Sequence, residues 1–239
     1  MAEEALQATA DGLPSLRARF EGSKLYDLLA ATPLLLWMLL YAEQQVPALV
    51  RYIAVTDPQS WDALFFARVA AKSASIVFLG LLLVLLTIRR TPQRKTPGLH
   101  PRIAALAGTY LGVAMMILPE RASGWGMLVV SVVLILAGTL FSVYALTRLG
   151  RSISLLPEAR ALVTDGPYRV IRHPLYLGEA VTLIGLSLQY LSLPALLIVA
   201  LQIAFQLQRM KHEEGVLRAA FPDYGPYMAR TARLLPGLY

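Results

Sequence analysis

Cysteine is absent from the 239 residues, which excludes disulfide scaffolds, cysteine-ligated zinc, iron–sulfur clusters and thiol nucleophiles. Histidine is scarce. His100, His173 and His212 fall in different segments, with no HExxH or paired-histidine spacing, so a protein metal site is not expected. Charge is sparse too: Asp, Glu, Lys and Arg make up 15% of the chain, against roughly 25% in an ordinary soluble domain. Neither GxGxxG nor GxxxxGKS/T occurs, so the soluble nucleotide-binding loops are missing. A basic stretch leading into a short apolar core and cleavage site is likewise missing from the first residues, so a cleaved signal peptide is not expected. Gly and Pro, at 16 and 15 residues, are too few for low-complexity disorder.

What the chain has instead is apolar surface. Hydrophobic residues reach 56% and the mean hydropathy is +0.56. A soluble fold of this size needs a more polar exterior, which argues against a soluble dinucleotide-binding or barrel enzyme and for an integral membrane protein.

A spanning helix needs about 20 predominantly apolar residues. Six stretches qualify as candidates, near 26–41, 63–88, 103–118, 127–147, 174–190 and 193–207, some of them short enough to require tilt or polar ends. Ser192 and Pro194 mark a tight turn between the last two, which predicts a helical hairpin. The basic residues then sort by side. Apart from Arg51, Arg68, Lys72 and Arg121, every Lys and Arg lies before the first stretch, between the second and third, between the fourth and fifth, or after the sixth. Positive residues mark the cytoplasmic side, so six spans with both termini cytoplasmic are expected. The net charge of +7 is accounted for by a basic face toward anionic headgroups, with no nucleic acid partner. The expected fold is an all-α integral membrane protein of about six transmembrane helices. Residues 1–24 form a cytoplasmic N-terminal segment, with a short interfacial helix over 13–24. Residues 25–148 hold four spans. Residues 149–239 form a cofactor-binding region with two spans and a tail.

Polar residues are few in the first four spans. Arg68 and Lys72 stand four apart on one face of the second, which snorkelling to headgroups explains, and Asp27 at the start of the first is placed at the interface. The second half differs. Asp165-Gly166-Pro167 reads as a turn and Pro174 as the first position of a helix. This puts Arg172 and His173 at the mouth of the fifth span and Tyr176 and Glu179 within it. An ionisable group inside a span is costly and faces a partner or a cavity. Arg209 and Glu213, four apart, share a helix face at the end of the sixth span. Tyr224, Tyr227 and Tyr239 with Arg230 and Arg233 read as either an interfacial anchor or a pocket wall. These patterns predict a polar cytoplasmic pocket between the last two spans, without naming a reaction.

Two motifs carry a resemblance. One is residues 162–178, with Gly166-x-Tyr168 and Arg172-His173-Pro174-x-Tyr176-x-Gly178 at its core. The other is Arg209-x-x-x-Glu213-Glu214-x-x-Leu217, followed by Phe221, Tyr224, Tyr227 and Pro236. In order and separation they resemble the isoprenylcysteine carboxyl methyltransferase family and its phospholipid methyltransferase relatives. The resemblance spans roughly 150–239. It departs from the family's pattern at Pro222, where a glycine often follows the aromatic residue. It implies an S-adenosylmethionine-dependent methyltransferase whose cofactor sits at the cytoplasmic end of the last spans and whose lipophilic acceptor enters from the bilayer. Tyr168, Arg172, His173, Leu175, Tyr176, Glu213, Glu214 and Tyr227 would bind the cofactor. Arg209 and Glu213 match the arginine–glutamate pair near the reacting centre, and Glu213 or Glu179 is the candidate proton acceptor for an amine. The chemistry suits these residues: in-line displacement at a sulfonium needs alignment and a dry site rather than a metal or a covalent intermediate. Arg209 could hold a carboxylate in a bidentate contact. A prenylcysteine-like carboxylate is the expected acceptor, with a phospholipid amine or a small thiol as alternatives. Outside this class stand a small transporter, which the lack of an internal repeat disfavours, and a membrane reductase, usually a longer chain.

Overall fold

A computed structural model describes residues 23–119 and 124–237. Most of the interfacial helix expected at 13–24 lies outside the described residues, as do Arg121 and Tyr239. The described residues form seven α-helices: α1 Lys24–Val55, α2 Ala63–Ile88, α3 His100–Tyr110, α4 Trp125–Leu149, α5 Pro174–Ser187, α6 Leu193–Ala220 and α7 Tyr224–Arg230. Their starts follow local chemistry. Ser23, Asp62 and Ser192 cap α1, α2 and α6, each side-chain oxygen accepting the amide N–H three residues on, at 3.2, 2.7 and 3.3 Å. Pro174 opens α5 and Pro194 lies in the first turn of α6, as expected.

Each of the six predicted stretches is helical, but they are not six equal spans. Among the described residues three helices are long and apolar enough to cross a membrane: α2, α4 with its continuation to Ser152, and α6. A fourth is α1, if its two halves count as one span. These meet at 52° around Pro33, where proline removes a backbone donor and its ring crowds the preceding turn. The third stretch falls short because the α-helix ends at Tyr110 and continues to Ile117 as a tighter 3-10 segment. The fifth falls short because α5 ends at Ser187 after 14 residues. In the three long helices only 22–28% of the apolar window is buried within the protein. Soluble monomers rarely leave so much apolar surface facing outward, so these faces belong against lipid.

Residues 188–192 link α5 to α6, but the hairpin expected there is not what packs closely: α5 runs along α4, and α6 along α3. Glycine permits the first of these contacts. A Cβ on Gly178 of α5 would lie 2.3 Å from Ser142 Oγ and 2.8 Å from the Gly138 carbonyl of α4. The backbones approach as small residues allow between membrane helices. At one end of the bundle Met38, Leu86, Leu146 and Leu175 join α1, α2, α4 and α5 in a buried cluster. That end gathers the C-termini of α2, α4 and α6 and the N-termini of α3 and α5.

A small element went unforeseen. Arg94–Lys95 (β1) and Glu158–Ala159 (β2) form an antiparallel ribbon, with Arg94 opposite Ala159 and Lys95 opposite Glu158. With the hydrogen bonds Arg90 N to Arg151 O (2.8 Å) and Gln93 N to Ala159 O (2.7 Å), it fastens the segment between α4 and α5 onto the α2–α3 connection.

Candidate active site

Two adjacent carboxylates at the end of α6 organise the site. Glu213 Oε1 accepts hydrogen bonds from the Tyr176 hydroxyl at 2.5 Å and from Arg209 Nε at 2.9 Å. Its Oε2 lies 3.9 Å from His173 Nδ1. The His173 and Tyr176 rings stack, with centroids 5.5 Å apart. The Arg209 guanidinium lies 4.9 Å from the Tyr176 ring centroid, within cation–π range. Arg209 also donates from Nη1 to Thr109 Oγ1 (2.8 Å) and from Nη2 to the Ser154 carbonyl (3.1 Å). The pair expected from its four-residue spacing therefore forms, and it is buried among α3, α5 and the α4–α5 segment.

Glu214 points to a different set of partners. It accepts from Arg172 Nε (2.8 Å) and from Arg233 Nε and Nη2 (3.0 and 2.6 Å), and its Oε1 lies 3.3 Å from His173 Nε2. Arg172 also donates to the carbonyls of Met228 and Thr231. A parallel bridge pairs Ile171 with Ala232, and the Tyr227 hydroxyl donates to the Tyr168 carbonyl at 2.8 Å. The segment after α6 is thereby laid across the entrance of α5.

A third network was not legible as such. Asp27, expected at the interface, is buried. It accepts from Arg89 Nε at 2.8 Å and from both terminal nitrogens of Arg160, at 3.0 and 2.9 Å. Arg160 is fully enclosed and also meets Glu158 at 2.6 Å. The one available signal was an acid at the start of a span.

Between these networks lies a cleft of about 740 Å³ including the open space at its mouth. Of the predicted residues, Tyr168, Arg172, His173, Leu175, Tyr176, Glu213 and Tyr227 line it. Arg209, Glu179 and Glu214 do not. Arg209 stands behind Tyr176 and Glu213, Glu214 ties the wall together, and Glu179 accepts from Gln206 Nε2 at 3.1 Å. Sequence reasoning missed Arg160 and did not assign Tyr224 to either of its two readings. Both line the cleft. Among the described residues, Arg160 Nε and the Tyr224 hydroxyl are buried without a hydrogen-bond partner, a state that a ligand or water normally relieves. Burial raises the pKa of the Tyr168, Tyr224 and Tyr227 phenols, that of Tyr227 to about 12, so all three are neutral hydrogen-bonding groups at physiological pH.

A second, apolar cavity of about 740 Å³ lies between α1, α2 and α3, with Trp37, Phe78, Leu82, Thr109 and Leu155 among its walls. Thr109 belongs to this groove and Ser154 to the polar cleft. Arg209 is hydrogen-bonded to both and so bridges the two cavities.

A helical membrane protein with a charged, aromatic-walled cleft at the helix ends is the class these features define. Residues 126–223 match the phospholipid methyltransferase family, the family of isoprenylcysteine carboxyl methyltransferase-like membrane methyltransferases. The resemblance drawn from the two motifs is borne out there, and the match reaches back into α4, where no motif was recognised. The chain is similar to the cobalt-zinc-cadmium resistance protein CzcN of Cupriavidus metallidurans, 36% identical over 32% of this chain and 36% of the relative. It is also similar to the nickel-cobalt-cadmium resistance protein NccN of Alcaligenes xylosoxydans xylosoxydans, 34% identical over 34% and 38%. The matched segment thus spans little more than a third of either relative. Among the described residues no group of three or more His, Asp or Glu is placed to hold a metal ion.

Proposed function

We propose that this membrane methyltransferase uses S-adenosylmethionine and methylates a lipophilic acceptor, by carboxyl O-methylation of a prenylcysteine-like molecule. The observation that carries this reading is the position of Arg209 between the polar cleft and the apolar groove. The cleft suits the cofactor: Tyr168, His173, Tyr176, Glu213 and Tyr227 offer aromatic faces and a carboxylate to a sulfonium-bearing molecule. The unpaired Tyr224 hydroxyl and Arg160 Nε–H offer it hydrogen bonds. When bound, the cofactor supplies an electrophilic methyl group. The protein's own part is alignment and exclusion of water. Glu213 fixes Tyr176 and Arg209, and Glu214 holds the segment that covers the cleft.

The apolar groove suits the acceptor's tail. Of the five N–H groups of Arg209, three are engaged within the protein. The remaining two, one on each terminal nitrogen, are the groups proposed to meet an acceptor carboxylate. For an amine acceptor, Glu179 is the nearby group that would take the proton; a thiol acceptor would use the same cleft and groove. The cleft end carries Arg89, Arg90, Arg94, Arg148 and Arg151, which supports a cytoplasmic orientation for it and for both termini.

The test is transfer from methyl-labelled S-adenosylmethionine into prenylcysteine analogues and lipid extract, followed by alkali. Label released by alkali identifies a carboxyl ester. Alkali-stable label would move the assignment to nitrogen or sulfur. Arg209→Ala is expected to abolish transfer while S-adenosylmethionine binding persists; full activity in that variant would remove Arg209 from the mechanism.

A further inference from the structure

The end of the bundle opposite the active site holds a second charged cavity, of about 1720 Å³ including its mouth, between α1, α2, α4 and α5. Arg68 and Lys72 project into it, with Tyr41, Gln45, Tyr52 and Gln189 as polar wall residues. Among the described residues no carboxylate lines it. Among the described residues neither cation forms a salt bridge, and Lys72 lies over the Tyr52 ring, 5.6 Å from its centroid. Two cations sharing one cavity repel each other, and an anion between them relieves that repulsion. Snorkelling explains long side chains that reach outward into water. Here Arg68 is half-buried and Lys72 exposed, and the two line one cavity between four helices.

Depth identifies the occupant. Arg68 precedes Arg89 by 21 residues along α2, which at 1.5 Å per residue is on the order of 30 Å, the thickness of the hydrocarbon core. With Arg89 at one membrane surface, Arg68 lies at the other, at headgroup level. The exposed Trp61 and Trp125 stand at the same end, as interfacial aromatics do. Tyr41, Gln45 and Ser75 are shared with the apolar groove, and Phe66 beside Arg68 is outward-facing. An occupant anchored at the cations therefore meets apolar surface for its chains. We infer that this cavity binds the phosphate of an anionic phospholipid from the leaflet opposite the active site, with Arg68 and Lys72 as its anchors. Opposite charge draws a lipid phosphate to the pair of cations. This requires only that α2 cross the bilayer and is independent of the methyl transfer chemistry.

The experiment is thermal unfolding of the detergent-solubilised full chain, titrated with phosphatidylglycerol, phosphatidylcholine or inorganic phosphate. A ligand that binds only the folded state raises the midpoint. Phosphatidylglycerol is expected to raise it, with phosphatidylcholine and phosphate weaker by at least tenfold in concentration. Arg68→Gln/Lys72→Gln is expected to need at least tenfold more phosphatidylglycerol, while Arg90→Gln at the other end of α2 responds like the unaltered chain. An undiminished response in the double variant, or an equal loss in Arg90→Gln, would overturn the site. An equal response to phosphate would overturn the lipid as its occupant. Should the double variant fail to fold, native mass spectrometry of the unaltered protein decides. One retained anionic phospholipid supports the inference, and none overturns it. Because unfolding and mass are the readouts, a chain that transfers no methyl group still gives an answer.

Discussion

Replacing Glu214 with glutamine tests whether one carboxylate holds the segment after α6 over the cleft. The change keeps the shape and one acceptor oxygen, removes the charge, and turns an amide N–H₂ toward Arg172 or Arg233. Removing one partner of a buried ion pair costs about 3–5 kcal/mol, because the other charge is left uncompensated. The Glu214 side chain is 5% exposed and Arg172 11%, but Arg233 is 19% exposed and partly screened by water. The lower figure therefore applies, about 3 kcal/mol, or roughly 150-fold in the opening equilibrium of residues 224–237. Limited trypsin digestion reads this directly, since Arg230 and Arg233 lie in that segment. When reclosing is fast, cleavage tracks the open population. Cleavage there is expected to accelerate about a hundredfold, with hydrogen exchange in α2 unchanged. An unchanged cleavage rate, or an equal loss of protection in α2, would refute the idea that Glu214 acts as a local clamp.

Three further outcomes follow from the same geometry. Gly178→Ala places a methyl group against Ser142 and the Gly138 carbonyl. It should destabilise the α4–α5 pair by about 1–3 kcal/mol, seen as a lowered unfolding midpoint in detergent, and an unshifted midpoint would show that the helices can separate freely. Asp27→Asn strands Arg89 and Arg160 and should cost about 3–5 kcal/mol. It should also weaken the proposed binding of S-adenosylmethionine, because Arg160 lines the cleft, and calorimetric titration showing unaltered affinity would count against that link. The phenol of Tyr227 is held neutral up to about pH 12 in the fold, against about 10 when unfolded. Its raised value means that the stability tied to the neutral form is complete below about pH 10 and is lost as the pH rises toward 12. Unfolding midpoints measured from pH 9 to 12 should fall less steeply in Tyr227→Phe than in the unaltered chain.

The parts of this molecule that local pattern could reveal are those made by neighbours in sequence. Arg209 and Glu213 sit one turn apart, so their contact followed from helical spacing. Pro174 fixed where α5 begins, and with it the position of His173 and Tyr176. The hydropathy of residues 103–118 promised a span. What it could not show is the change from α-helix to 3-10 at Tyr110, where the apolar composition is the same. The fastening of the site was hidden for another reason. Asp27 meets Arg160 across 133 positions of chain and Glu214 meets Arg172 across 42. No periodicity records which acid finds which base at such separations. Arg209 was expected at an open pocket, and only the fold reveals that Thr109 and Ser154 hold it between two cavities.

The engagement of Arg172 by the Thr231 carbonyl spans 59 residues of chain. At synthesis rates of about 5–20 residues per second, the start of α5 is made roughly 3–12 seconds before that partner exists. For the first 42 of those residues, until Glu214 is made, Arg172 has only water and lipid headgroups to solvate it. Assembly is thereby ordered in time: α4 and α5 can meet through their glycines early, whereas the cover of the cleft is added only after α6 and α7 have followed. A cofactor arriving at the nascent protein would meet an uncovered cleft, so competence for tight binding is acquired late, after the helices around it are already in the bilayer.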